Sequence, residues 1–412
     1  MKGTAVATTT VAPAPWDTKP LSELCELFAD GDWVESKDQS QEGVRLIQTG
    51  NVGEGMFKDR AEKARYISES TFKRLRCSEI FEGDCLISRL PDPVGRSCIL
   101  PETGERMITA VDCTIVRFKS GGIFPAFFNY YSQSDDYLIT VARECTGTTR
   151  VRISRSNLGT IPIPVPPLAE QRRIVGVLDE AFEGIATAKA NAEKNLQNAR
   201  ALFEGHLQSV FTQRSEGKEV AIGEVAEIFD GPHATPKTVD EGPVFLGISA
   251  LQDGVINLGE TRHVTSEDFR KWTRRVRPQA RDVVFSYETR LGQAAIIPEH
   301  LECCLGRRMG LVRLDHRQVT PRFFVYQYIS PPYRSFLQSK TVRGATVDRL
   351  SLKEFPSFPI WLPQLDTQER VAAGLDEFKE ETQRLATVYE RKLASLGALK
   401  KSLLHQAFCG AL

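Results

Sequence analysis

Along residues 166–211 apolar side chains fall at Leu178, Phe182, Ile185, Ala192, Leu196, Ala199 and Phe203, in steps of four and three with one skipped place at Lys189. A repeat near 3.5 residues lines such side chains along one narrow stripe of a helix, the seam of a coiled coil. Pro166 and Pro167 set a sharp start, because proline fits a first helical turn and breaks later ones. The pattern predicts a long helix over 167–213, followed by a polar linker over 214–219. Such a stripe cannot be buried against itself and requires a partner. A second stretch, 363–412, supplies one, with seam positions Leu375, Phe378, Thr382, Leu385, Tyr389, Leu393, Leu396 and Leu403. The two stretches align in fixed register: Leu168 with Leu365, Gln171 with Gln368, Ile174 with Val371 and Phe211 with Phe408, each pair 365 − 168 = 197 residues apart.

The offset extends beyond the helices, with small drifts. Residues 43–57 match 242–256, 66–75 match 263–272, 83–88 match 281–286, and 146–168 match 343–365. The chain therefore reads as a tandem duplication. After a tail over 1–16, each copy is a globular domain (17–166 and 220–362) followed by its long helix. Short apolar runs bounded by glycine, over 44–48, 84–88 and 113–118 and again over 244–249, 282–286 and 309–314, predict strands. Aromatic-rich runs over 124–133 and 321–330 predict helices. The fold class expected is α+β, with short antiparallel or mixed strands in each globule.

Composition narrows the function. No apolar run reaches eighteen residues, so no membrane-crossing helix is expected, and the first sixteen residues lack the apolar core of a signal peptide. Nine cysteines without a CxxC pair, and six histidines without an HxxxH pair, argue against a disulfide framework and a metal site and for free thiols in a cytoplasmic setting. No phosphate-cradling GxxxxGK[ST] loop is present. Lysine plus arginine balance aspartate plus glutamate at 53 each. A DNA-binding role then requires either segregated basic residues or a partner that supplies phosphate contacts.

The basic residues are segregated, at matching places in the two copies. Lys58, Arg60, Lys63, Arg65, Lys73, Arg74 and Arg76 cluster in the first; Arg262, Arg270, Lys271, Arg274, Arg275 and Arg277 cluster in the second. Such clusters neutralise DNA phosphates and position a protein without specifying sequence. Arg89 and Arg96 flank a turn at Gly95, and Tyr287, Thr289 and Arg290 precede Gly292. A glycine-bent loop with arginine at its tip is expected to offer a guanidinium to guanine O6 and N7. Thr148, Thr149 and Arg150, with Arg343 and Thr346, form glycine-containing loops able to bond phosphate.

These stretches resemble a known family. PVPPLAEQRRIVGVLDE and LPQLDTQERVAAGLDE resemble the repeated entry to the long helices of type I restriction–modification specificity subunits. GDCLISRLPDPVGRSCIL and RDVVFSYETRLGQAAII resemble a segment of their target-recognition domains, and TGTTR and RGATV their glycine-threonine loop. The resemblance covers nearly the whole chain, twice in order. It implies two DNA-reading domains, each followed by a helix, with the helices paired antiparallel as a spacer. It implies no catalytic residues and no cofactor on this chain, the methyl donor and ATP belonging to partner subunits. The implied partners are double-stranded DNA, two methyltransferase subunits and, where the system also cleaves, two restriction/translocase subunits. Gln364, Thr367 and Glu369 replace Pro167, Glu170 and Arg172, which bears on how equally the two ends bind a methyltransferase. The expected DNA site is asymmetric, because the two domains differ, with half-sites about 10 base pairs apart.

Two rival functions have their own residues. Ser330, Pro331, Pro332 and Tyr333 form the tetrad with which amino-methyltransferases hold a flipped base, which would make the chain a methyltransferase in its own right. The first copy carries Ser134, Asp135, Asp136 and Tyr137 instead, and no glycine-rich loop for a methyl donor precedes either. The paired helices alone would suit a coiled-coil scaffold without a DNA role.

Overall fold

The computed structural model describes residues 16–147, 151–214, 216–341 and 347–412. The chain divides into two compact units: Met1–Ala192 together with Arg391–Leu412, and Glu193–Glu390. The division does not follow the repeats. It cuts both long helices near their midpoints, so each unit holds one globular domain, one half of its own helix and one half of the other.

The first domain is built on two sheets. One is antiparallel, in the order Cys25–Asp30, Cys113–Phe118, Cys85–Ser88, Ser97–Ile99, with Ile115 opposite both Ala29 and Leu86. Its middle strands, CTIVRF and CLIS, are buried through most of their length. The other runs Gln39–Ser40, Tyr66–Ile67, Val44–Ile47, Met107–Thr109, Glu79–Ile80, with Val44–Ile47 and Met107–Thr109 parallel. The second domain repeats the plan. Ala226–Asp230, Met309–Leu314, Val283–Ser286 and Ala294–Ile296 form the equivalent four-stranded sheet. Arg262–His263, Val239–Leu246 and Cys303–Leu305 form the other, again with one parallel pair. Equivalent ion pairs brace the two four-stranded sheets, Arg117 to Asp84 at 2.7 Å and Arg313 to Asp282 at 2.8 Å.

In both domains the incoming and outgoing strands pair with each other: Thr18–Pro20 with Pro162–Pro164, and Lys218–Ala221 with Pro359–Leu362. Prolines are tolerated there because a two-stranded sheet is all edge. The long helices begin four residues or fewer beyond, at Leu168–Thr212 and Leu365–Phe408. Each start is locked by a glutamine with no exposed surface. Gln171 accepts from the Phe124 amide (2.7 Å) and donates to the carbonyls of Gly122 and Pro166; Gln368 accepts from the Thr320 amide (2.9 Å) and donates to those of Gln318 and Pro363. About two turns on, Tyr130 donates to Asp179, and Tyr326 donates to Asp376.

The helices pair antiparallel within each unit. In the first, Ile174, Val175 and Leu178 pack with Leu404, Ala407, Phe408 and the domain's Phe127. In the second, Leu207 and Phe211 share a core with Ala372, Leu375, Phe323 and Trp361, and Arg200 reaches Glu390 at 3.0 Å. The seam differs from expectation at one position. Leu385 is 38 % exposed, while Ala386 lies inward. The helix turns 3.6 residues per turn, so after Thr382 a step of four holds the stripe on its partner where a step of three leaves it.

Candidate nucleic-acid interface

In the first domain the basic cluster is exposed on the strand-linking segments beside the five-stranded sheet. Asn51 pins that segment: its carboxamide donates to the carbonyls of Lys58 (2.9 Å) and Asp59 (3.0 Å) and accepts from the Gln48 amide. The buried Arg45 guanidinium holds the same segment through Asp59 and also pairs with Glu105 at 2.7 Å. The loop so fixed carries Lys58 and then Arg60, whose backbone is left-handed at φ 50°. Arg60, Lys63 and Arg65 converge on one hollow with Gln48, Gly50, Asn51 and Ala64, and no carboxylate lines it. Lys73 and Arg74 lie on the helix Glu69–Leu75, capped at its start by Ser68, and Arg76 caps its end at φ 54°. Cations at a helix C-terminus are favoured by the backbone dipole, which accounts for part of this clustering without any ligand. Arg74 is engaged by Asp38 at 2.6 Å.

The second domain places its cluster on the equivalent helix, Ser266–Trp272, capped by Thr265. Arg270 and Lys271 sit in its last turn, with Lys271 paired to Glu267 at 2.8 Å. Lys271, Arg274 and Arg275 converge on a hollow with Asp230, Gly231, Pro232 and Trp272. Arg277 is turned away into an ion pair with Glu302 at 2.6 Å and lies over the Phe269 ring. Arg262 is exposed on its short strand. Gln48 and Trp272 were not among the residues singled out in the sequence. The signal for Trp272 was its place inside the second basic run, between Lys271 and Arg274; Gln48, ten residues before Lys58, carried none.

The glycine-bent loops are as expected in backbone and different in side chains. Gly95 has φ 88°, and a Cβ there would meet Val141 at 2.9 Å; Gly292 has φ 80°, and a Cβ would meet Arg334 at 2.6 Å. Only glycine fits either turn. The arginines beside Gly95 are not at a loop tip. Arg96 is 8 % exposed, and its guanidinium donates to four carbonyls, those of Val52, Leu90, Pro93 and Thr49, at 2.7–3.0 Å. Arg89 is 9 % exposed, donates to the Val111 carbonyl at 2.5 Å and lies 3.4 Å from Asp30. Tyr287 is also buried and donates to Asp230 at 3.0 Å. The expectation of exposed base-reading groups is corrected for these three: all are buried and turned onto partners within the fold. Thr289, at φ 67°, and Arg290 are exposed, Arg290 donating to the Ser249 carbonyl at 3.1 Å. Thr148, Thr149, Arg150, Arg343 and Thr346 lie outside the described residues.

The Ser-Pro-Pro-Tyr tetrad is a helix start. Ser330 caps Pro331–Ser339 by accepting from the Tyr333 amide, donates to the Gln327 carbonyl at 2.6 Å and has no exposed surface. Tyr333 packs its ring against Tyr328 and Phe336. Ser134 does the same in the first domain, accepting from the Tyr137 amide and donating to the Tyr131 carbonyl at 2.7 Å, with no proline in the motif. The shared feature is the cap, and both serines are buried. Among the described residues no group of three His, Cys, Asp or Glu could hold a metal, the nine cysteines are free thiols, and no helix is long and apolar enough to cross a membrane.

Comparison with known proteins fits this duplicated plan. A type I restriction enzyme MjaX specificity subunit of Methanocaldococcus jannaschii is 20 % identical over 432 residues, spanning 97 % of this chain and 94 % of the relative. A solved chain from the complex assembly and conformational transition of the type I R-M system superposes with a TM-score of 0.77 at 19 % identity, over 97 % of this chain and 99 % of that one. The crystal structure of the HsdS subunit from Thermoanaerobacter tengcongensis superposes with a TM-score of 0.61 at 20 % identity, over 97 % and 98 %. The type I restriction modification DNA specificity domain matches twice, over residues 13–197 and 215–390, in step with the two repeats, and the chain belongs to that family.

Proposed function

We propose that this chain is the DNA specificity subunit of a type I restriction–modification complex and carries no catalytic group of its own. The observation that carries the reading is duplication of a whole design: two domains of one topology, each with a basic cluster on the same helix, each leading into a long helix that pairs with the other's. Each domain reads one half-site through exposed cations on phosphate and a smaller set of side chains on base edges. Exposed Arg290 is the foremost base-reading candidate in the second domain. The paired helices set the distance between halves. Two methyltransferase subunits join it on DNA, with restriction/translocase subunits added where the system cleaves. The methyl donor and ATP are bound by those partners, and the complex works in the cytoplasm.

Sequencing of modified bases in a host that expresses this chain with its methyltransferase tests the reading. The expected result is one asymmetric bipartite motif that disappears when this chain is deleted. Motifs that persist without it, or a single continuous motif, would refute the assignment. Incubating the purified chain alone with DNA and labelled methyl donor separates this reading from a self-contained methyltransferase. No transfer is expected, because the tetrad's serine and tyrosine are spent on capping and core packing.

A further inference from the structure

In the first unit the Lys400 ammonium lies 4.9 Å from the centre of the Phe182 ring. In the second the Lys379 ammonium lies 5.9 Å from the centre of the Phe203 ring and donates to the Asp253 carbonyl at 2.9 Å. These four residues form two equivalent pairs under the repeat: Phe182 is 197 positions before Lys379, and Phe203 is 197 positions before Lys400. Each layer therefore takes its ring from the first long helix and its cation from the second. A cation over a ring is attractive, and more so where water is partly excluded. Both lysines are half-buried, and burial holds both below the ordinary lysine range, against the raising influence of Asp253 on Lys379 and of Glu54 on Lys400. The neighbouring Lys189 lowers Lys400 further.

We propose that Lys379 and Lys400 make the second long helix select the first as its antiparallel partner and refuse the same helix of another copy. Self-pairing of the second helix in this register sets Lys379 of one copy against Lys400 of the other, twice, with neither Phe182 nor Phe203 there to receive them. Like charges brought together in a partly desolvated contact suppress the wrong partner. Self-pairing of the first helix sets Phe182 against Phe203 and carries no such charge penalty. Exchange of two mixed pairs for one self-pair of each kind still fails, because the cost of the second self-pair enters the sum. Size acts in the same direction at the midpoint. Ala192, 1 % exposed, stands where the second helix has Tyr389, so self-pairing of the second helix opposes tyrosine to tyrosine. The consequence is a chain in which two different domains are always joined, whichever DNA they read.

The test begins from the folded full chain with a protease site inserted between Arg214 and Glu216, cut after purification. The two fragments are incubated in urea at the level where isotope-labelled and unlabelled fragments exchange fully, and their pairings are counted by native mass spectrometry. The wild-type fragments are expected to remain paired one to one. In Lys379→Phe/Lys400→Phe the self-pair of the second fragment is expected to rise about tenfold or more. Lys379→Met/Lys400→Met, which removes charge with less bulk, should show the same rise and guards against a folding defect in the first variant, which thermal denaturation of the uncut chain would reveal. Wild-type fragments redistributing toward a statistical mixture would overturn the proposal. So would lysine variants that fold and stay one to one.

Discussion

Gln171 and Gln368 each satisfy one backbone amide and two carbonyls from inside the protein, at the point where a domain hands its chain to a long helix. Replacing either by alanine strands three buried backbone groups, and stranding such groups costs about 1–3 kcal/mol each when no water reaches them. Partial relaxation should leave a loss of about 2–4 kcal/mol for Gln171→Ala or Gln368→Ala, read from urea unfolding; a loss under about 0.5 kcal/mol would show that the junction is held otherwise. Arg96 and Arg290 make a contrasting pair. Arg96→Ala abandons four carbonyls in the interior and should lower stability by several kcal/mol. Arg290→Ala should leave stability within about 0.5 kcal/mol and relax one base position of one half-site in the modified-base map. Uniform weakening across all sequences would instead assign Arg290 to phosphate. Sequence shows where arginines cluster but not which way a guanidinium turns. Arg89 and Arg96 flank a turn and are buried with their guanidinium groups on carbonyls, whereas Arg290, also beside a glycine turn, is exposed, its guanidinium donating to the Ser249 carbonyl.

At the scale of elements the long helices were legible because a 3.5-residue stripe and a constant offset are signals that no domain context is needed to read. The strands over 85–88, 113–118, 283–286 and 309–314 were legible for a related reason, being short, apolar and bounded by turn residues. Strand order was not, since pairing partners are set by contacts between distant stretches. Nor was the layer at Lys379 and Lys400, where a charged residue reads as a break in the stripe until the facing ring is known. Lys189, the skipped place of the first stripe, is exposed, whereas Lys379 and Lys400 are half-buried over aromatic rings. The register makes a prediction. Four residues inserted between Ala192 and Leu196 alone offset the first unit's pairing against the second's, and should lower the thermal midpoint and abolish methylation. A matched insertion between Tyr389 and Leu393 restores both pairings and adds about 6 Å to each helix, close to two base pairs. The doubly inserted chain should methylate the same half-sites with a longer unspecified gap. Changed half-sites with an unchanged gap would remove the helices from the role of ruler.

Over the whole molecule charge sums to zero, yet the two basic surfaces are local and repeated. Acidic partners neutralise some of these cations, as Asp38 does Arg74, Glu267 does Lys271 and Glu302 does Arg277. Lys58, Arg60, Lys63, Arg65 and Lys73 are exposed on the first domain, Arg60 donating to the Gly50 carbonyl at 3.4 Å. Affinity for DNA depends on how many phosphates such groups neutralise, because each releases a condensed counterion, giving a slope of log affinity against log salt of about −0.9 per phosphate. The total charge does not enter, so a neutral chain can still bind with a steep salt dependence if its contacts are local. Lys58→Ala/Arg60→Ala/Lys63→Ala in the complex with methyltransferase should therefore flatten the slope by about 2–3 and weaken every sequence alike at moderate salt. The recognised motif should stay the same, and the other half-site should be read as before. A triple variant that keeps the wild-type slope would move the phosphate contacts off the hollow and onto Lys73 and Arg76 at the end of the helix Glu69–Leu75. A variant that changes the motif while keeping the slope would make the hollow beside Gln48 a base-reading site.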